Sequence, residues 1–193
     1  MIPVFQVKRD GTCCIADFGL AVRFNKTSNQ IDIGPSNTRV GTIRYMAPEV
    51  LDETLKTENF NSYCQADMYS FALVLWEIAS RIDRGSKTND DERGSEKDQE
   101  GEVEEYHIPY HNVVPNDPKF DEMKKVVGAE IRPEIPEHWK KHETTLGLIR
   151  ICQELWSPKP SSRLTALRVK KSLTKLESEV TKRYANNDKR TPV

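Results

Sequence analysis

One short motif in this sequence has the residue types of a metal-binding site. Asp17-Phe18-Gly19 directly follows an apolar stretch that ends at Ala16. A strand there would fix the backbone, the aspartate carboxylate would project from its end, and the glycine would permit a sharp reversal of the chain. Carboxylate oxygens are ligands that Mg²⁺ prefers. Because a tripeptide recurs by chance, the residues that accompany it decide its meaning.

Three further charged residues accompany this motif along the chain. Glu49 closes Ala47-Pro48-Glu49, Asp67 opens the most apolar stretch, and Arg163 follows Pro160-Ser161-Ser162. Two interpretations are open from the residues alone. In the first, these groups form a metal ligand, an interior ion pair and a hydrogen-bonding carboxylate. In the second, the two aspartates are a turn residue and a helix cap, and Glu49 and Arg163 make surface contacts.

Short strands precede these residues, and helices dominate the rest of the chain. Val4 to Val7 and Cys13 to Ala16 flank Asp10-Gly11, which predicts a β-hairpin. Residues 17 to 49 show no sustained helical period and predict a long irregular segment. Ala66 to Ala79 is apolar almost all the way round, which predicts a helix that is buried on every side.

Three more helices are predicted in the second half. Asp117-Pro118 would supply an N-cap and a first-turn proline, and the helix through Leu146 to Trp156 would end before Pro158. Thr165 would cap a last helix. The apolar face of that last helix contains Val169, Leu173, Leu176 and Val180.

Charge and hydropathy exclude several function classes. The 193 residues include 29 basic and 30 acidic side chains, which does not fit a polybasic nucleic-acid-binding chain. The apolar run Phe71 to Trp76 is too short to cross a bilayer, so we expect no membrane insertion by this chain. Residues 83 to 105 carry ten acids and four bases, and their composition predicts a disordered insert.

The cysteines and histidines predict neither a disulfide framework nor a metal cluster. The four cysteines lack paired CxxC spacing and are predicted to be reduced thiols. His107 with His111 and His138 with His142 have the spacing of two ligands on one helix face. Pro109 interrupts the first pair and no third ligand completes either one, which favours surface histidines.

The ordered set of Asp17-Phe18-Gly19, Ala47-Pro48-Glu49, Asp67 and Arg163 resembles the C-terminal half of a protein kinase catalytic domain. The resemblance implies a mainly α fold, namely the C-terminal lobe of the protein kinase-like fold with a short N-terminal β-hairpin and the N-terminal lobe missing.

The implied domain boundaries follow from the extent of this resemblance. A partial kinase domain would occupy residues 1–180, with the acidic insert 83–105 inside it, and a polar tail would occupy residues 181–193.

The resemblance also implies roles for the residues around the nucleotide. Asp17, with Phe18 and Gly19 beside it, would hold the Mg²⁺ or Mn²⁺ that bridges the phosphates of ATP. Residues 20 to 46 would form the activation segment. The hydroxyl of Thr42 would lie beside the catalytic base, as in serine/threonine kinases.

The remaining implied roles are structural. Glu49 would pair with Arg163 in the interior, and the loss of one partner would leave a buried charge. Asp67 would accept hydrogen bonds from the backbone of the catalytic loop.

Longer stretches are similar to the type I receptors of the transforming growth factor beta and bone morphogenetic protein family. They are Gly11 to Asp17, Gly19 to Val22, Asn37 to Thr42, Arg44 to Glu53, Val113 to Pro118 and Arg163 to Arg168. This similarity implies a single-pass receptor whose kinase lies on the cytoplasmic side of the plasma membrane. A type II receptor kinase would phosphorylate it, and it would in turn phosphorylate receptor-regulated Smad proteins.

Three positions depart from that family pattern. Phe18 replaces a leucine, a change that most kinases outside the subfamily share. Ile43 replaces a lysine and removes a charge near the substrate-docking loop, and Ala72 adds a methyl group where the family has glycine.

The parts of a kinase that precede Asp17 are the larger departure. A Gly-rich loop, a strand lysine paired with a helix glutamate, and the catalytic-loop aspartate and asparagine are absent from the 193 residues. Met1 falls partway through the family's catalytic loop, with Val4 at the position of the metal-binding asparagine. We therefore expect that this chain alone cannot transfer phosphate.

Two classes of function are consistent with the sequence. The chain is either a fragment of an active receptor serine/threonine kinase or a short non-catalytic product that competes for partners of the intact receptor. The first is favoured because Met1 cuts through the catalytic loop instead of a linker between domains.

Overall fold

The computed structural model describes residues 4–16, 18, 21–34, 42–82 and 105–188. Within these ranges the chain is mainly helical, as predicted, with two small antiparallel sheets. The strands are β1 (Val4–Val7), β2 (Cys13–Ala16), β3 (Arg23–Asn25) and β4 (Gln30–Asp32). The α-helices are α1 (Pro48–Leu51), α2 (Phe60–Ser80), α3 (Phe120–Gly128), α4 (Glu143–Leu155) and α5 (Ala166–Asp188). Short 3₁₀ turns cover Ile43–Tyr45, Glu137–Lys141 and Pro160–Ser162.

The predicted N-terminal hairpin is confirmed. β1 pairs antiparallel with β2, with Val4 opposite Ala16 and Val7 opposite Cys13. The turn contains Gly11 at φ +82°, a backbone conformation that glycine adopts without a steric penalty. β2 ends at Ala16, the residue that precedes the Asp17 motif in the sequence.

A second hairpin lies inside the segment that was predicted to be irregular, and that prediction is wrong for residues 23–32. β3 pairs with β4, and the Asn25 side-chain oxygen accepts hydrogen bonds from the N–H groups of Thr27 at 2.9 Å and Ser28 at 3.2 Å. Asn29 has a φ of 53°, which asparagine tolerates better than most residues. Each strand has only three residues, too few to show a clear period of two.

Helix α2 forms the centre of the molecule and begins earlier than predicted. It starts at Phe60, and the Asn59 side chain accepts a hydrogen bond from the Asn61 N–H at 3.0 Å. The apolar pattern missed its first turns because they are largely polar. The helix is also not buried on every side, because Ile78 is 51% exposed. Its inner face, which includes the completely buried Leu73, forms the main core.

Helix α3 begins at Phe120, so the predicted N-cap at Asp117 is wrong. The chain instead enters the helix at Lys119, whose N–H donates to the Glu122 side chain at 2.8 Å. A glutamate at the third helical position that reaches back to the cap satisfies a backbone donor that the helix itself leaves unpaired.

Helix α4 packs against α2, and α5 packs against α4. The predicted end of α4 is confirmed, since it stops at Leu155. A Cβ atom at Gly147 would collide with the side chain of Leu176, so glycine permits the close approach of α4 to α5. The apolar face predicted for α5 packs on the core through the buried Val169 and the half-buried Leu173 and Leu176. The helix continues to Asp188, beyond the boundary placed at residue 180.

The histidine pairs differ from their predicted surroundings. His138 lies in a 3₁₀ turn and His142 precedes α4, so the two do not share one α-helix face. His107 and His111 stack with ring centroids 4.1 Å apart, and His107 is half-buried. All four cysteines are unbridged, as predicted. The insert predicted over residues 83–105 lies outside the described residues except for Glu105, and residues 189–193 of the tail lie outside them too.

Candidate functional site

The residues on either side of position 17 line an apolar cavity. Asp17 and Gly19 themselves lie outside the described residues. Ala16 and Phe18 both face a cavity of about 790 Å³, and Phe18 is 67% exposed. β2, α2 and α5 supply most of its walls, including Met68, Phe71 and Leu173, whereas Asp67 and Glu177 are its acidic residues. Ala16, Phe18 and Asp67 therefore line the same cavity.

Asp67 occupies a different place from the one predicted. It lies in the third turn of α2, seven residues after Phe60, and does not open the helix. Burial raises the pKa of its carboxyl above the ordinary value of 3.8. A capping role at the start of the helix, the second interpretation of this residue, is thus wrong. The hydrogen bonds to a catalytic-loop backbone that the resemblance implied stay a prediction.

The described residues do not by themselves provide a magnesium site. No group of three or more His, Cys, Asp or Glu side chains converges anywhere in residues 4–16, 18, 21–34, 42–82 or 105–188. The carboxylate that the motif assigns to the metal is that of Asp17, outside these ranges. No chemical step through a metal ion follows from the described geometry.

Glu49 and Arg163 form a buried bidentate ion pair. The two guanidinium nitrogens of Arg163 lie 2.6 and 2.8 Å from the two carboxylate oxygens of Glu49. Arg163 also donates to the carbonyl oxygens of Gln65 and Ser157, each at 2.9 Å. Its guanidinium carbon lies 5.1 Å from the centre of the Tyr69 ring. These contacts satisfy most donors of the arginine and hold α1 against the segment before α5.

Thr42 immediately precedes the 3₁₀ turn Ile43–Tyr45 and is exposed. Its proposed neighbour, a catalytic base, has no counterpart among the described residues. Ile43 is half-buried and packs against the core, which gives this apolar residue a structural contact where the family pattern has lysine.

The residue that sequence reasoning missed is Arg44. This buried side chain donates to the carbonyl oxygens of Pro109 at 2.7 Å, Pro115 at 2.5 Å and Asn116 at 2.9 Å. Carbonyl partners leave no signature in a sequence, and these lie 65 to 72 residues away. The only available signal was an arginine between apolar residues directly before the Ala47-Pro48-Glu49 motif.

With this geometry in place, comparison with known proteins decides the family. Residues 5–173 match the protein kinase domain. The chain belongs to the protein kinase family. Among its relatives, the human activin receptor type-1 is 47% identical over 177 residues, which cover 91% of this chain and 32% of that receptor. The human TGF-beta receptor type-1 is 45% identical over 174 residues, 90% of this chain and 31% of the receptor.

These comparisons confirm the resemblance to type I receptor kinases of this family. The activin receptor type-1 of Gallus gallus is 46% identical over 181 residues, which are 93% of this chain and 33% of that receptor. The kinase chain thus spans about a third of the length of the relatives that it matches. Of the helices in the described part of the chain, none combines the length and the apolar content needed to cross a membrane.

Proposed function

We propose that this chain is part of a type I receptor serine/threonine kinase and that the complete receptor phosphorylates receptor-regulated Smad proteins. One observation carries the proposal, namely 47% identity to the human activin receptor type-1 over 91% of the chain. In this proposal the receptor spans the plasma membrane, its kinase faces the cytoplasm, and a type II receptor kinase phosphorylates it.

Within that receptor, residues 1–180 would form the C-terminal lobe of the kinase, with the insert 83–105 inside it and the residues from 181 onward as its tail. The order of elements supports this assignment, because two small β-hairpins precede a mainly helical region around the central helix α2. The buried ion pair of Glu49 and Arg163 supports it as well, since it lies between two of the motifs that carry the resemblance.

The cofactor of the complete kinase would be ATP with Mg²⁺ or Mn²⁺. Asp17 would supply one carboxylate ligand, with Phe18 and Gly19 shaping the turn beside it. A bound divalent cation neutralises the phosphate charge that shifts during phosphoryl transfer. The hydroxyl of Thr42, an exposed residue near the end of the activation segment, would lie beside the catalytic base of the complete kinase.

A chimeric receptor tests the substrate and the role of Asp17 together. The matched 174-residue stretch of the human TGF-beta receptor type-1 would be replaced by the corresponding residues of this chain. We expect ligand-dependent phosphorylation of the C-terminal serines of a receptor-regulated Smad, and we expect Asp17→Asn in the same chimera to abolish it. A chimera that reaches the cell surface and is phosphorylated by the type II receptor, yet leaves Smad unmodified, would contradict the substrate assignment.

The 193-residue chain by itself would be catalytically incompetent. Its sequence holds no Gly-rich phosphate loop, no strand lysine with a helix glutamate, and no catalytic-loop aspartate. The purified chain, supplied with Mg-ATP and a Smad, should transfer no more phosphate than its Asp17→Asn variant.

A non-catalytic binding module that competes for partners of the receptor is the second candidate. It is favoured by one observation, that the contacts of Arg44 and of the ion pair Glu49–Arg163 all lie within residues 44–163. Partner binding should then survive Asp17→Asn in a co-precipitation with a Smad or a type II receptor kinase. Failure to retain either protein would remove this candidate.

A further inference from the structure

Two tyrosine hydroxyls share one carboxylate on the outer side of α2. The Tyr45 hydroxyl donates to Glu77 Oε1 at 2.5 Å, and the Tyr106 hydroxyl donates to Glu77 Oε2 at 2.7 Å. Glu77 thereby connects the turn before Ala47-Pro48-Glu49 with the segment that starts at Glu105. Tyr45 lies in the resembling stretch Arg44 to Glu53, whereas Glu77 and Tyr106 lie outside the stretches that carry the resemblance.

The two tyrosines differ in accessibility. Tyr45 is half-buried, whereas Tyr106 is 54% exposed. Of the other tyrosine side chains that the structure describes, Tyr63 is half-buried and Tyr69 and Tyr110 are fully buried, so Tyr106 is the most accessible of them to an enzyme.

The surroundings of Tyr106 are strongly charged. Its hydrogen bond to Glu77 raises the pKa of the Tyr106 hydroxyl to about 12, so the group is a protonated donor at neutral pH. Arg81 directly follows α2, four residues after Glu77, and its positive charge lowers the same pKa by a smaller amount. Because residues four apart on a helical backbone share a face, Arg81 lies on the side of the helix end that carries Glu77.

The sequence before Tyr106 is acidic. Residues 102–105 read Glu-Val-Glu-Glu, and Glu105 is exposed. An enzyme with a basic substrate groove would be attracted to an exposed tyrosine that follows such residues, because complementary charge favours both encounter and register.

We propose that Tyr106 is a phosphorylation site for a protein-tyrosine kinase that selects acidic residues before its target, and that phosphorylation moves this side chain from Glu77 to Arg81. In the transfer, the Tyr106 oxygen forms a bond to the γ-phosphorus of ATP, the bond from that phosphorus to the β,γ-bridging oxygen breaks, and ADP leaves. The phenolic proton passes to the base of the modifying enzyme. The proposal does not rest on the receptor function of the chain.

The physical reason for the movement is the change of charge. A phosphotyrosine carries a charge of about −1.5 to −2 at neutral pH and has no hydrogen to donate to Glu77. Two anions at hydrogen-bond distance repel each other, while a guanidinium one turn away can pair with the phosphate oxygens. Glu77 would keep only its contact with Tyr45.

Phosphorylation of the folded full chain tests the site. The chain would be incubated with a purified acid-selective tyrosine kinase and Mg-ATP, and the modified residues mapped by mass spectrometry. We expect phosphate on Tyr106 before Tyr63, none at this position in Tyr106→Phe, and a rate about tenfold lower in Glu105→Lys because a favourable charge becomes repulsive. Modification of Tyr63 with Tyr106 untouched, or a rate unchanged by Glu105→Lys, would overturn the proposal.

The movement to Arg81 has its own readout. The second pKa of the phosphate, about 6 in a free phosphotyrosine, can be followed by ³¹P NMR in the modified chain. Arg81 should lower this pKa, so the modified Arg81→Gln variant should titrate at higher pH and the modified Glu77→Gln variant at lower pH. Equal titrations in the unsubstituted chain and Arg81→Gln would refute the pairing. Circular dichroism confirms that each variant is folded before modification.

Discussion

Glu49 is the carboxylate on which the buried polar network depends. It is paired with Arg163 across 114 residues of sequence, and the arginine side chain is completely buried. Removing one member of a buried ion pair leaves the other charge without its main partner in a medium of low polarity. Glu49 therefore offsets the free-energy cost of burying the charge of Arg163.

Glu49→Ala should lower the free energy of unfolding by about 3 to 5 kcal/mol, the usual cost of breaking a buried pair. Urea unfolding of the two proteins measures it. The matched control is Glu137→Ala, which breaks an exposed pair with Lys140 and should cost less than about 1 kcal/mol. Equal losses in the two variants would show that Arg163 does not depend on Glu49.

The raised pKa of Asp67 predicts that the stability of the folded chain falls as pH rises through the acidic range. Burial raises its pKa in the folded chain above 3.8. The unfolded chain has the ordinary pKa of 3.8 at this residue, and the folded chain has the raised one. Between these two pKa values the folded chain binds more protons than the unfolded chain, so the free energy of unfolding falls as pH rises. Above the folded-state pKa this loss is complete.

Asp67→Asn cannot titrate, so its stability relative to the unsubstituted chain should increase from pH 3.8 upward and then become constant. Urea midpoints of both proteins across the acidic to neutral range measure this difference. Any hydrogen bonds that the substitution removes would change this difference in stability by the same amount at every pH. A difference that is constant or shrinks as pH rises would contradict the raised pKa.

At the scale of elements, the start of α2 is set by a capping residue and not by the apolar pattern of the helix. The run from Ala66 onward marks the buried part of the helix, but Asn59 decides where it begins, because its side chain satisfies a backbone N–H of the first turn. The same holds for α3, where Glu122 reaches back to Lys119. Both signals are visible in the sequence once the cap, instead of the apolar period, is used to place the end.

Asn59→Ala should destabilise the chain by about 1 kcal/mol, because the first turn of α2 loses its side-chain acceptor. Asn61→Ala is the matched control, since Asn61 is exposed inside the helix and alanine has the higher helix propensity. Urea unfolding should show a loss for the first variant and no loss for the second. A larger loss of stability in Asn61→Ala than in Asn59→Ala would show that Asn59 does not cap the helix.

At the scale of the whole molecule, three distant segments are joined by charged side chains. Arg44 ties the turn before α1 to the segment 109–116, Arg163 ties α1 to the approach to α5, and Glu77 ties the same turn to Tyr106. The hydrophobic core contains buried residues of α1, α2, α3 and α4. Arg44 donates to backbone carbonyl oxygens. Arg163 donates to carbonyl oxygens and to the carboxylate of Glu49, which is 114 residues away in the sequence.

Much of this fold could be predicted because its signals are local. The Gly11 turn, the apolar α2, the end of α4 before Pro158 and the apolar face of α5 each depend on residues within a few positions of one another. The hairpin β3–β4 was missed because three-residue strands are stabilised by an Asn25 turn and by stacking of Phe24 on Phe60, which the sequence does not place together.

By itself, the sequence determined the family and the order of the motifs, because residue type and spacing along the chain carry that information. Only the tertiary structure decided that Glu49 meets Arg163, that Arg44 is held by three carbonyls, and that Glu77 collects two tyrosine hydroxyls. The physical reason is that backbone carbonyls are the same at every position. Which of them a buried guanidinium meets depends on how helices pack, and that packing is a property of the whole chain.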